Sequence, residues 1–167
     1  RPSCCGRRRT TAAAIGGNGL CVAYAIHRME QNGLSPDAGP VLVTGGTGGL
    51  ATLAIQMLAC LGYRVSVLTG KPSSGDMLRG IGASEVLDEA SLVKGRRPLE
   101  SGRWAGAIDS VGGETLAWLT RTMLPGGTIA SVGNVGGPEL DTTLMPFILR
   151  GVTLIGIAAY PLHLREQ

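Results

Sequence analysis

Cysteine is sparse and unpaired in this chain: Cys4, Cys5, Cys21 and Cys60 show no C-x-x-C spacing. That argues against structural zinc and leaves two tail thiols and two small core residues. Histidine is scarcer still, and His27 and His163 stand too far apart for ligand spacing, so both read as surface or boundary residues. No metal is expected. Apolar runs never reach the length that spans a bilayer, and no charged-then-apolar leader pattern opens the chain, so a soluble, cytoplasmic protein with no membrane partner is expected. Basic residues exceed acidic ones by only 15 − 12 = 3 and are scattered apart from Arg7-Arg8-Arg9, which gives no nucleic-acid-binding face. At 167 residues there is room for one domain with a proper core and not for a second.

Glycine, by contrast, is abundant, and one glycine-rich stretch organises the rest. Val41-Leu42-Val43-Thr44 is an apolar run that stops at Gly45-Gly46-Thr47-Gly48-Gly49 and opens into the helical pattern Leu50, Leu53, Ala54, Met57, Leu58, Leu61. Gly45, Gly48 and Ala51 fall on a G-x-x-G-x-x-[GA] spacing, where small residues let the backbone turn tightly and approach a pyrophosphate. The unpaired N–H groups and positive dipole end of a helix starting near Gly49 then face the anion without any basic side chain. Gly62 ends this helix and Arg64–Thr69 forms the next strand, completing one right-handed βαβ unit. A phosphate loop of the nucleotide-hydrolase type is disfavoured, since no Gly-Lys-Ser/Thr follows the glycines.

Along the rest of the chain, residues 1–11 read as a tail, 12–157 as the nucleotide-binding domain and 158–167 as a truncated C-terminal segment. A helical stripe of Val22, Ile26 and Met29 precedes the first strand and ends at Gly33, while Gly16, Gly17 and Gly19 predict a loop before it. Met77, Leu78 and Ile81 mark a short helix capped by Ser73 or Ser74 and stopped by Gly82. Further strands are expected at 85–88, 105–109, 128–132 and 152–157, with helices around Leu116, Leu119 and Met123, broken by Pro125-Gly126-Gly127, and across 142–150. Six strands alternating with helices predict an α/β, doubly wound parallel six-stranded sheet, a Rossmann fold of order 3-2-1-4-5-6. Its crevice lies between strands one and four, outside their carboxyl ends, lined by the loops after Thr44, Asp109 and Val132. Asp109 has two open readings there, a ribose ligand or a local backbone cap.

At Ala12-Ala13-Ala14-Ile15-Gly16, Val43-Thr44-Gly45, Thr69-Gly70-Lys71, Trp104 to Gly113 and Met145-Pro146-Phe147-Ile148-Leu149-Arg150-Gly151-Val152, the chain resembles one family. It is similar to the acrylyl-CoA reductase and YhdH-type quinone oxidoreductases of the medium-chain dehydrogenase/reductase superfamily. The resemblance implies a zinc-free enzyme that passes hydride from NADPH to an activated carbon–carbon double bond or a quinone. It also implies a GroES-like substrate domain, which is absent from this sequence, so that the fragment alone is expected to be inactive. By resemblance, Gly45 shapes the turn, Thr47, Gly48, Gly49 and Leu50 meet the diphosphate, Thr69, Gly70 and Lys71 meet the adenosine 2′-phosphate, and Asn134 and Ile148 meet the nicotinamide half. Three departures accompany it: Ala51 in place of a third glycine, Glu89 near a family arginine, and Ala158-Ala159 where Asp-Ser is usual. No catalytic acid or base is visible.

The alternative from another class is a free-standing NADP(H)-binding or regulatory module. A short-chain dehydrogenase falls, because Tyr24, Tyr63 and Tyr160 have no Lys four residues on. A methyltransferase commonly places an acid at the end of the second strand, where Thr69-Gly70-Lys71 stands. The same absence of an acid favours NADP(H) over NAD(H), since three potential donors replace an acceptor of ribose hydroxyls. The β-branched, apolar strand 152–157 leaves a sheet edge open and predicts a homodimer formed across it.

Overall fold

The computed structural model describes residues 10–92, 95 and 97–158, with side chains from residue 16 onward. The expected tail and C-terminal segment lie almost wholly outside the described residues, as do Cys4, Cys5, Ala159, Tyr160 and His163. Six strands form one parallel sheet: β1 (Val41–Thr44), β2 (Val65–Thr69), β3 (Glu85–Asp88), β4 (Trp104–Asp109), β5 (Met123–Ser131) and β6 (Thr153–Gly156). Their order is β3-β2-β1-β4-β5-β6, as the alternation of elements predicted. β1 is paired on both sides, Val41 standing opposite Val65 and Gly106, and every residue of β1 and β2 is buried. A strand covered on both faces needs apolar residues in succession, which Val41-Leu42-Val43 supplies.

Period-two alternation sends successive side chains to two cores. Val41, Val43, Val65, Val67 and Ile108 meet α1 (Thr10–Gln31), α2 (Gly49–Cys60) and α3 (Gly75–Gly80) on one face. Leu42, Leu68, Ala107 and Ile129 meet α4 (Gly113–Thr122) and α5 (Met145–Arg150) on the other. Each such aliphatic side chain taken from water contributes about 1.5–3 kcal/mol before its entropy cost. The α4 side is tied down by Arg150, whose guanidinium donates to the carbonyls of Arg121, Met123 and Glu100.

Several local expectations need correction. The loop predicted at Gly16, Gly17 and Gly19 is helical on both sides of a single break at Gly16 (φ 39°, ψ −151°). Packing of Val22, Ala25, Ile26 and Met29, all essentially buried, outweighs the ~1 kcal/mol that each helical glycine costs. In α2 the buried face is Ala51, Ala54, Ile55 and Leu58, while Leu50, Leu53 and Met57 are half-buried and Leu61 is exposed. Small Ala51 and Ala54 face inward because the helix lies close to the sheet. Met123 begins β5 instead of ending α4, and β5 starts upstream of the predicted 128, with its register against β4 shifting between Trp104 and Gly106. The shift accommodates exposed Pro125 and Gly126, the latter at φ +74°, in an irregular stretch of the strand, which is where a strand tolerates them. Ser74 precedes α3 but makes no side-chain cap bond. Cys21 is buried as expected, but Cys60 is exposed at the end of α2. His27 is a surface residue. Among the described residues, no helix is long and apolar enough to cross a membrane.

Candidate functional site

The glycine turn after β1 is wedged between its two neighbouring strands. Gly45 takes φ +65°, a conformation that side chains rarely adopt, and a Cβ there would stand 2.7 Å from Ser110 Oγ. Gly46 donates its N–H to the Leu68 carbonyl at 3.0 Å, and a Cβ on it would meet Val67 Cγ1 at 2.3 Å. Gly48 closes the turn with an N–H bond to Gly45 O at 2.8 Å. Glycine is therefore required by space at Gly46 and by conformation at Gly45.

α2 begins straight after this turn. Its N-cap, Gly48, offers no side-chain cap bond, and the helix starts at exposed Gly49 with no acidic residue in its first turn. Thr52 N–H takes the Gly48 carbonyl, so the N–H groups of Gly49, Leu50 and Ala51 precede the first intrahelical bond. Helix starts in proteins are normally capped by Ser, Thr, Asp or Asn. An uncapped start at a sheet's carboxyl edge, with the positive end of a 12-residue helix behind it, is a cradle for an anion. These residues therefore fit a dinucleotide's diphosphate.

Beside it, β2 ends in a turn of a different kind. Thr69 is buried and its Oγ1 accepts the Lys71 N–H at 3.0 Å, which curls the chain so that Gly70 and Lys71 are exposed. Gly46 and Thr69 are adjacent: a Cβ on Gly46 would lie 3.5 Å from Thr69 Cβ. The two predicted groups, 45–50 and 69–71, are thus brought to one edge of the sheet.

Asp109 settles the open choice in favour of the cap. It is fully buried at the end of β4. Thr44 donates its hydroxyl to Asp109 Oδ1 at 2.6 Å, Val111 N–H donates to the same oxygen at 3.3 Å, and Gly112 N–H donates to Oδ2 at 2.9 Å. Burial pushes the carboxyl above its ordinary 3.8, against the pull of these three bonds, and the nearby Glu89 carboxylate adds to the rise. Thr44 Oγ1 in turn accepts the Ser110 N–H at 3.1 Å, and Ser110 donates its hydroxyl to the Thr44 carbonyl at 3.1 Å. This closed network welds the ends of β1 and β4 under the glycine turn.

Asn134 is exposed just beyond β5, and its Cα lies 3.0 Å from where a Cβ on Gly112 would stand, so it borders the β4 end of the crevice. Ile148 is 69% exposed on α5, whose own packing is against β5 and α4. It does not share the 45–50 and 69–71 cluster. Sequence reading missed Thr44 and Ser110 as the fasteners of the crevice floor, and missed Thr115 as a donor to Glu89 at 3.0 Å. The Thr-x-Gly-x-x-Gly run hinted at the first, but residues 26 apart carry no such hint for the last.

Residues 49–166 match the family profile described as zinc-binding dehydrogenase. The acrylyl-CoA reductase AcuI of Ruegeria pomeroyi is 45% identical over 148 residues, 87% of this chain and 44% of that protein. Among solved structures, the yhdH oxidoreductase from Salmonella enterica, crystallised in complex with NADP, is 39% identical with a TM-score of 0.87, covering 93% of this chain and 48% of the other. The yhfP protein of Bacillus subtilis, with NAD bound, is 45% identical with a TM-score of 0.86, covering 89% and 46%. This chain therefore spans less than half the length of these relatives. The family's description names zinc, but among the described residues no three His, Cys, Asp or Glu are grouped to hold a metal ion, and that ion does not fit them. By fold, glycine turn and profile alike, the chain belongs to the zinc-binding dehydrogenase family.

Proposed function

We propose that this chain is the NADP(H)-binding half of an oxidoreductase acting on an activated C=C bond, as in an enoyl or acrylyl thioester, or on a quinone. The observation that carries the reading is the uncapped start of α2, lashed through Gly46 to the end of β2. Gly45 shapes the turn, Gly48 lines the diphosphate with its own N–H closing the turn on Gly45 O, and Thr47, Gly49 and Leu50 receive the diphosphate on backbone N–H groups. Thr69 holds the next turn so that the Gly70 amide and the Lys71 ammonium face the adenosine 2′-phosphate. Asn134 borders the nicotinamide half, and Ile148 supplies an apolar surface from α5. When bound, the nicotinamide ring carries the hydride, and the protein's part is to position that ring and exclude water. The likeness to an acrylyl-CoA reductase and to oxidoreductases solved with NADP or NAD supports this reading over a purely regulatory module.

Self-association belongs to the same proposal. β6 is the terminal strand of the sheet, and its outer edge can pair with a second copy around a two-fold axis across 152–157. Sedimentation should return a dimer mass at micromolar concentration, whereas a monomer would remove this part.

Gly49→Asp tests the cofactor site. A side chain at 49 meets only Asn18 Nδ2 at 3.9 Å, so there is room, and a carboxylate at a helix start stabilises the helix. The same carboxylate repels a diphosphate. Calorimetry should show saturable NADPH binding to the wild type, weakened at least about tenfold in Gly49→Asp while the melting temperature holds or rises. Equal binding by the two proteins, or none by the wild type, would sink the assignment.

A further inference from the structure

We propose that Glu89 is a specificity-determining residue that opposes Lys71 at the adenosine 2′ position and narrows the preference for NADPH over NADH. The inference rests on the cofactor reading above and adds a residue to it that pushes the other way. Glu89 opens the 3-10 turn Glu89–Ser91, directly after β3. β3 pairs with β2 so that Asp88 stands opposite Thr69, which puts Glu89 level with Gly70 at the same edge of the sheet.

The side chain stays at that edge. Its Oε1 accepts the hydroxyl of Thr115, a buried residue in the first turns of α4, at 3.0 Å. Its Oε2 lies 3.8 Å from where a Cβ on Gly70 would be, in van der Waals range of the end of β2. The carboxylate is therefore held between two fixed elements, and its charge also reaches buried Asp109. A negative charge beside Gly70 has opposite consequences for the two cofactors. It repels a phosphate on the adenosine ribose and is indifferent or favourable to ribose hydroxyls, which can donate to it. Lys71, exposed on the neighbouring residue, attracts the phosphate. The two charges compete over one ligand group, and half-buried Glu89, being anchored, is less free than Lys71 to turn away.

The test measures dissociation constants for NADPH and NADH on the full chain, in the wild type, Glu89→Gln and Glu89→Lys, with melting temperatures recorded in parallel. Glu89→Gln keeps an acceptor for Thr115 and removes the negative charge. It should raise the NADPH-over-NADH affinity ratio about fivefold, a modest repulsion between partly solvated charges at close range. Glu89→Lys reverses the charge and should raise the ratio about 25-fold, the square of that factor. Both gains should shrink as salt is added, because the interaction is screened within about 8 Å at physiological ionic strength. If the wild type binds both cofactors and the ratio in Glu89→Gln moves less than about twofold at unchanged melting temperature, Glu89 is only an anchor for α4 and the inference is overturned. If the wild type binds neither, the cofactor reading falls and this inference with it.

Discussion

The two walls of the crevice are built on opposite plans. At the end of β1 the chain uses backbone: three glycines, a helix start without a side-chain cap, and donors that precede the first helical bond. At the end of β4 it uses side chains, and they spend their hydrogen bonds on one another: Asp109 takes Thr44, Val111 and Gly112, and Ser110 takes Thr44. One wall holds its polar groups out for a ligand, and the other consumes them internally. Asp109, which the sequence left open between ribose ligand and backbone cap, is thus structural, whereas the turn without a functional side chain keeps its N–H groups outside the helical ladder.

The sharpest way to break this contrast is to remove the β4 network. Asp109→Ala leaves the buried Gly112 N–H, the partly buried Val111 N–H and the Thr44 hydroxyl without their acceptor. An unsatisfied buried donor costs about 1–3 kcal/mol, so a loss of about 3–5 kcal/mol, read from the denaturant midpoint, is expected. A loss below about 1 kcal/mol would mean that the network does not hold the two strands together.

A smaller effect separates glycines within the other wall. Gly46→Ala would drive a methyl into Val67 at 2.3 Å and should cost about 2 kcal/mol along with cofactor binding. Gly48→Ala has φ −71° and meets only the Gly45 carbonyl at 3.2 Å, so it should cost less than about 1 kcal/mol. Equal costs at the two positions would show that the turn is governed by something other than the closeness of β2.

These contrasts mark where sequence reading succeeds and where it stops. Strand order followed from the succession of elements, because right-handed crossovers leave few arrangements. β1 and β3 were legible to the residue, β1 as a β-branched apolar run ending at the glycine turn and β3 as Val86-Leu87 between the stop at Gly82 and the polar connector. The inward face of α2 was not, because an apolar helix looks alike on several sides and only closeness to the sheet selects Ala51 and Ala54 over Leu50 and Leu53. Nor was the start of β5, where Pro125 and Gly126 signal a break that the shifted register absorbs. The glycine turn was legible because its chemistry is local. The Asp109 cap and the Glu89–Thr115 bond were not, since they join elements that meet only in the folded sheet.

Asp109 gives the contrast a pH signature of smaller size. Its folded value lies above the ordinary 3.8 because burial disfavours the charge. Below 3.8 the carboxyl is protonated in both folded and unfolded chains and makes no difference. Between 3.8 and the raised value the folded chain holds more protons, so this group's contribution falls as pH rises, and its cost is fully present above the folded value. Comparing wild type with Asp109→Asn at about pH 4 and about pH 7 isolates the group. The variant keeps one acceptor oxygen and no charge, so its deficit relative to wild type should be larger at the lower pH. A deficit that grows with pH would mean that the three donors outweigh burial and hold the carboxyl below its ordinary value.

The least of these effects belongs to Lys71, and it decides whether the ligand-facing wall reads more than a diphosphate. Within 69–71 the positive charge is that of Lys71: Thr69 is buried and its oxygen holds the turn, and Gly70 has only its amide. An exposed lysine is a weak reader, because water screens it and its flexible stem must be ordered on binding. Lys71→Ala should therefore weaken NADPH about threefold and leave NADH unchanged, with the gap closing as salt is raised. An equal loss for both cofactors would place the ammonium near the shared diphosphate instead of the 2′-phosphate. No loss for either would make it a solvated loop charge, and discrimination would then rest on the Gly70 amide and the carboxylate beside it.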